Sequence, residues 1–197
     1  MLYNVSYKRG DVMPPKTKYT KDEIAKEALQ IIRENGYDSL NARSLASRLN
    51  ISTMPLFHSY ENMEEIKEAA VHIGVERYNK YMADAMSSDE PFKKVGQAYI
   101  NFAQDEPELF RMFFMTPTEK IAGLSDTDPN TAKVTDIAAG MLEGDRDAGG
   151  RLLFEMWIFV HGIATLSVTG KKKFTKEERS ELTSSVFKRL KGGIQSE

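Results

Sequence analysis

Thr53, Met54, Phe57 and His58 crowd into the stretch NARSLASRLNISTMPLFHSY, residues 41–60. At about 100° per helical residue, Met54, Phe57 and His58 fall within an arc of roughly 100°, with Thr53 at its edge. Leu56 and Tyr60 share the other face, where they can pack on Leu45, Leu49 and Ile51. Two short helices joined at Asn50-Ile51 form the arrangement whose second helix enters the major groove of DNA. Apolar side chains there meet thymine methyl groups, while Thr and His donate or accept at base edges or phosphates. The plainer reading is that this is one more helix pair of an all-α protein, with Phe57 packed beneath the helix that follows.

Other chemistry is thinly represented. The absence of Cys removes disulfides, a thiolate nucleophile and Cys-based zinc sites. The three His stand far apart, and there is no phosphate-binding Gly loop, Gly-x-Ser-x-Gly elbow or His-Glu-x-x-His. Asp126-Thr127-Asp128 opens like a calcium loop, but Thr131 stands at the sixth position instead of Gly and Ile137 at the twelfth instead of Glu. No pair of carboxylates stands out. The expectation is no catalytic residue, no metal and no cofactor. Trp157 and His161 are i,i+4 on one helix face. They either face a ligand or are core or interface residues with the imidazole hydrogen-bonded internally.

The elements that must hold these residues are helical nearly throughout, and the fold class expected is all-α. The 197 residues, 41% hydrophobic and 28% charged, are ordinary for a globular chain of one or two domains. The net charge of −2 is uneven: residues 1–60 hold nine Lys/Arg against six Asp/Glu. That excess hints at a phosphate-bearing partner at the N-terminal end. Residues 1–18 read as a flexible basic arm, of which Met13 is a candidate natural start. They lack the apolar core of a signal peptide, so a cytoplasmic location is expected.

Start signals then recur. Thr20 with Glu23 makes a capping box, and Gly36 stops the first helix. Asn41 caps the second, which Asn50 ends in the left-handed conformation. Ile51 is expected to be a buried bridge, Ser52 a cap for the third helix with Pro55 in its first turn, and Asn62 with Glu65 the start of a fourth. Further helices are expected from Asp89-Pro91 to Gln104, from Pro107, near 131–142, from Asp145 to Thr169, and from Thr175 to Gly192-Gly193. Residues 116–130 are breaker-rich and read as a loop. Leu152 to Val168 is apolar almost all round. At 17 residues with Glu155 and His161 it is short for a membrane span, so burial on every side is expected, with no membrane.

The run from Thr20 to Ile66 resembles the DNA-binding domain of the tetracycline-repressor (TetR) family of bacterial transcriptional regulators. The likeness rests on Gly36-Tyr37 closing the first helix, Leu45-Ala46, the Ile51-Ser52 step and Leu56-Phe57-His58-Ser59-Tyr60. FAQDEPELFRMFF and WIFVHG resemble segments of the family's C-terminal domains, the latter its Trp-His-Gly type. The resemblance implies a three-helix helix-turn-helix domain at 19–63 and a larger helical ligand-binding and dimerisation domain at 64–197. It implies DNA contacts from Lys16, Lys18, Arg43, Thr53, Met54, Phe57, His58 and Ser59. It also implies ligand contacts from Phe102, Phe113, Trp157 and His161, with Gly162, Ala164 and Ser167 permitting close approach of a second subunit. Phe57, Pro55 and Met63 depart from the family's usual Tyr, Ser or Thr, and Lys. The function implied is a repressor released from operator DNA by a small molecule, working as a homodimer through its last two helices. The rival reading is a helical small-molecule-binding protein or enzyme that does not bind DNA.

Overall fold

The structure, a computed structural model, describes residues 19–125 and 128–195. Among these residues the regular elements are all helical. Helix α1, Lys21–Asn35, starts where expected: the Thr20 hydroxyl accepts from the Glu23 N–H, and the Glu23 carboxylate accepts from the Thr20 N–H. It stops at Gly36, whose φ of 84° would strain any other residue. A single 3-10 turn, Tyr37–Ser39, leads to α2, Ala42–Leu49, capped by the Asn41 side chain. Asn50 closes α2 in the left-handed region, φ 53° and ψ 51°.

The next element departs from expectation. Helix α3, Leu56–Ser59, is four residues long and has no side-chain cap, so Ser52 does not start it. The chain begins to coil at Thr53 through i→i+3 bonds instead: Leu56 N–H donates to Thr53 O and Phe57 N–H to Met54 O. Pro55 has no N–H to add, which leaves this first turn loose. Ile51 is half-buried rather than buried. Leu56 and Tyr60 are buried with Leu45 and Leu49, as their spacing requires. The Tyr60 hydroxyl donates to Lys21 O, and the Tyr19 hydroxyl to Leu49 O, which ties the N-terminal end of α1 to α2 and α3.

Helix α4, Met63–Met86, begins under an Asn62 cap and continues past the N-terminal bundle. It packs on α1 and then on α5, Pro91–Asp105. A boundary at residue 63 therefore falls at the head of a helix that serves both halves. Chain direction breaks at Glu106, and α6, Pro107–Phe114, follows. Pro107 disfavours helical backbone at the residue before it, and Glu106 accordingly sits at φ −132°, ψ 59°.

That residue is the most firmly held acid among the described residues. Glu106 is 3% exposed; Arg33 of α1 donates to both its oxygens at 2.6 and 2.7 Å, and Arg77 of α4 donates at 2.6 Å. Four elements thus meet at one carboxylate. Arg33 is held above its usual pKa, chiefly by this hydrogen bonding.

Helices α7, Thr131–Gly140, α8, Arg146–Val168, and α9, Lys176–Ile194, complete the larger half. At the α7–α8 crossing a Cβ on Gly149 would come within 2.6 Å of Ala139 N, so only Gly fits. Helix α9 runs through Gly192 and Gly193 instead of ending there. Glycine only permits a stop, and nothing at that point turns the chain.

Helix α8 corrects two expectations. It is 23 residues long, so length does not bar it from spanning a bilayer, and one such helix is present by length and composition among the described residues. Within the single chain it is buried on one face and open on the other. Leu152, Met156, Val160, Ile163 and Ala164 face the subunit core, while Phe154 (59%), Ile158 (52%) and Leu166 (43%) are exposed. Ala164 therefore lies inside the subunit, away from that open face, whereas Gly162 has open space above it.

Replacing Glu106 by Ala leaves two guanidiniums facing each other over a lost counter-ion. The expected cost is about 3 kcal/mol of unfolding free energy, read by urea denaturation. Glu64→Ala, which removes an exposed partner of Lys67, is the control and is expected to change little.

Candidate functional site

Two regions carry the residues singled out by the sequence. The first is the tip formed by α2 and α3. Met54 is 69% exposed and Phe57 41%, and Thr53 and His58 are also exposed, while Ser59 is half-buried. Phe57 is thus not packed beneath α4. Arg43 stands exposed in the first turn of α2 and makes no ion pair among the described residues. Arg48, one turn on, is different: Glu27 and Glu34 of α1 hold it at 2.6 and 2.7 Å. One arginine is committed to structure and the other is open.

Lys16 and Lys18 lie outside the described residues. So does the basic excess itself, because residues 19–60 hold five Lys/Arg and five Asp/Glu. Met63 is half-buried against the core, and a Lys21–Glu65 ion pair sits beside it at the foot of α4.

The second region is a cavity of about 760 Å³ bounded by α4, α5, α6, α7, α8 and the loop before α7. That volume suits a drug-sized molecule. Its wall is aromatic and aliphatic, with Tyr78, Phe92, Tyr99, Phe113, Phe114 and Trp157 among the lining side chains. Exposed Gly123, Ser125, Pro129 and Thr131 mark its solvent side.

The expected ligand residues divide. Phe113 and Trp157 line the cavity, and Phe102 and His161 do not. Phe102 is fully buried behind the wall, edge-on to Tyr78 and stacked on Phe113 at 6.2 Å. His161 sits one layer back too: its Nδ1 is 2.9 Å from the Tyr99 hydroxyl, and its ring lies beside Trp157 and Phe110. Burial pushes the His161 pKa down and the Tyr99 pKa up, so both stay neutral near pH 7.

Tyr78 and Tyr99 were not singled out by sequence, and Asp128 was weighed only as part of a calcium loop that its spacing ruled out. The two tyrosines share the apolar period of core residues, and Asp128 lies in a stretch that reads only as loop. The Tyr78 hydroxyl donates to Asp128 Oδ2 at 2.8 Å across the cavity wall. Burial, and then the Asp128 charge, raise the Tyr78 pKa well above its usual value.

The larger half has a recognised pattern. Residues 92–190 match the model of the tetracyclin repressor-like C-terminal domain. The chain belongs to the TetR family. An uncharacterised HTH-type transcriptional regulator of Mycobacterium tuberculosis is 24% identical over 166 residues, covering 78% of this chain and 72% of that one. Among solved structures, a TetR-like transcriptional regulator from Rhodococcus sp. RHA1 superposes with a TM-score of 0.66 at 13% identity, over 86% of this chain and 94% of its own. A TetR variant from Acinetobacter baumannii AYE in complex with minocycline gives a TM-score of 0.57 at 16% identity, over 91% and 98%. The last two establish likeness of fold. Within the TetR fold, the matched C-terminal domain runs from the start of α5 into α9 and contains most of the cavity wall. The chain is thus a TetR-family transcriptional regulator with a helix-turn-helix at its N-terminal end.

The Tyr99–His161 pair yields a pH dependence. Unfolded His takes up its proton near about pH 6.5, whereas the folded chain resists it because burial lowers the His161 pKa. This contribution to stability is complete above that pH and is lost as the pH falls from there toward the lower folded value. The melting temperature is expected to drop more between about pH 7.5 and about pH 5.5 in the unaltered protein than in His161→Gln. Parallel curves for the two would show that the imidazole is not the group involved.

Proposed function

We propose that this regulator is a cytoplasmic homodimeric repressor that binds operator DNA through α2 and α3 and leaves it when a small molecule fills the cavity. The observation that carries the reading is the outward face of Thr53, Met54, Phe57 and His58 on a helix-turn-helix, in a chain of this family. Met54 and Phe57 are 69% and 41% exposed, and thymine methyl groups suit large apolar side chains presented in this way. Arg43 and Ser59 are assigned to phosphates or base edges at the rim, and Lys16 and Lys18 to phosphates. No enzymatic role is assigned.

The ligand half of the proposal rests on a packing link. A Cβ on Gly74 of α4 would meet Phe113 Cζ at 3.1 Å and Leu29 Cδ1 of α1 at 3.4 Å. A side chain of the cavity wall and a core side chain of the DNA-binding half thus press on one point of α4. A molecule that shifts Phe113 changes the seat of α1, and with it the spacing of two α3 helices, about 34–36 Å for successive major grooves. The coupling is reciprocal: operator weakens ligand binding by the same factor.

Support for the dimer comes from α8 and α9. Phe154, Ile158, Gly162 and Leu166 follow at i+4 intervals, and Leu182 of α9 is also 40% exposed. A continuous apolar stripe of this kind marks an interface.

Anisotropy with labelled DNA flanking the protein's own gene tests the first half. Phe57→Ala is expected to weaken specific binding by about tenfold with an unchanged circular dichroism melt. A large loss of thermal stability, or undiminished binding, would refute the assignment of Phe57. Leu166→Arg leaves the subunit core untouched, yet is expected to convert a sedimenting dimer to monomer and to abolish operator binding with it. A monomer near 22 kDa for the unaltered protein at micromolar concentration would overturn the dimer and the switch together.

A further inference from the structure

The cavity wall has a charge as well as a shape. Its lining includes the Asp128 carboxylate and, among the described residues, no Lys and no Arg. The histidine of the lining, His72, stands on an exposed position of α4. Each oxygen of Asp128 is held by neutral donors: Oδ2 by the Tyr78 hydroxyl, and Oδ1 by the Asn130 N–H at 2.8 Å and the Asn130 side-chain amide at 3.0 Å. Such bonds fix the carboxylate in place and leave its charge uncancelled.

Glu106 shows how this protein treats an acid that is only structural: two guanidiniums neutralise it. Asp128, half-buried at an apolar cavity, has no such partner among the described residues. An unpaired charge beside apolar surface is costly, and a cation entering the cavity removes that cost. The neighbouring rings favour the same occupant, because the faces of Tyr, Phe and Trp attract organic cations. An anionic ligand, by contrast, meets no Lys or Arg among the described lining residues and is repelled by Asp128.

Resting on the reading of this cavity as a ligand site, we propose that it selects lipophilic organic cations, with Asp128 as counter-ion and Tyr78, Tyr99, Phe114 and Trp157 as the aromatic bed. Amines and quaternary ammonium or iminium compounds of drug size form the class. Lipophilic carboxylates are excluded from it.

Fluorescence titration of the full-length protein without DNA tests this with three dyes. Rhodamine 6G is a cation, rhodamine B carries a closely similar cationic xanthene with an ionised carboxylate at about pH 7.5, and N-phenyl-1-naphthylamine is uncharged. Rhodamine 6G is expected to bind at least about tenfold more tightly than rhodamine B, and Asp128→Asn to remove most of that preference. Leu153→Lys, which places a cation in the wall without touching Asp128, is expected to lose rhodamine 6G and retain rhodamine B. If Asp128→Asn fails to fold, the comparison of dyes on the unaltered protein and on Leu153→Lys decides. Equal or tighter binding of rhodamine B, or an unchanged rhodamine 6G affinity in a folded Asp128→Asn, overturns the charge selectivity. If the uncharged dye binds in those cases, the cavity stands as a ligand site. Failure of all three dyes to bind overturns both readings.

Discussion

The chain of helices is pinned at one buried carboxylate. Pro107 forbids α5 from running straight into α6, and the non-helical residue this creates, Glu106, is the one that both Arg33 and Arg77 grasp. The break, the tilt of α6 and the contact of α1 with the larger half all depend on that charge cluster. Such a centre contributes specificity of arrangement more than net stability, since desolvating three charges costs much of what their attraction returns. Around it the packing is close. Gly36 leaves room for the Glu108 side chain, and Gly74 for Phe113 and Leu29. Helix α6 is thereby fitted between the element that ends the first helix and the wall of the cavity.

This arrangement makes α6 a lever with short arms. Its C-terminal residues Phe113 and Phe114 line the cavity, and its N-terminal end abuts the Glu106 cluster. Interdigitated side chains at native packing density transmit displacement because they cannot compress. Ring contacts continue from Phe113 and Phe114 through Tyr78 and Tyr99 to His161. On the ligand reading proposed above, the shape of an occupant would be felt on α4, α5 and α8 together.

Local signals were legible in the sequence where the physics is local. Thr20, Asn41, Asn50, Asn62 and Thr175 each satisfy orphan backbone groups within four residues, and each sits at the helix end its type predicts. Ser52 misled because Pro55 starves the first turn of a donor, and Gly192-Gly193 because permission to turn is not a cause for turning. The outward positions of Met54 and Phe57 followed from period alone, since Leu56 and Tyr60 left no room on the inner face. Glu106 and Asp128 were not legible. Their partners lie 73 and 50 residues away, and a cavity is a property of what surrounding helices fail to fill. For the same reason Trp157 and His161, alike by spacing, part company in space: one reaches the cavity and the other hydrogen-bonds behind it.

Helix α4 has a consequence for how such a protein can be taken apart. Because it carries Ile66 and Ala70 into the core with α1, and Tyr78 and Met82 into the cavity wall, no cut at its head yields two self-sufficient pieces. A hybrid regulator made by fusing a foreign helix-turn-helix at Met63 would inherit a larger half whose Gly74 and Glu106 had lost Leu29 and Arg33. The transplantable unit is set by those contacts. A functional graft at Met63 must rebuild Leu29 and Arg33 on the incoming helix, since a seam after Met86 would instead cost Glu106 both its arginines and Asp128 its tyrosine.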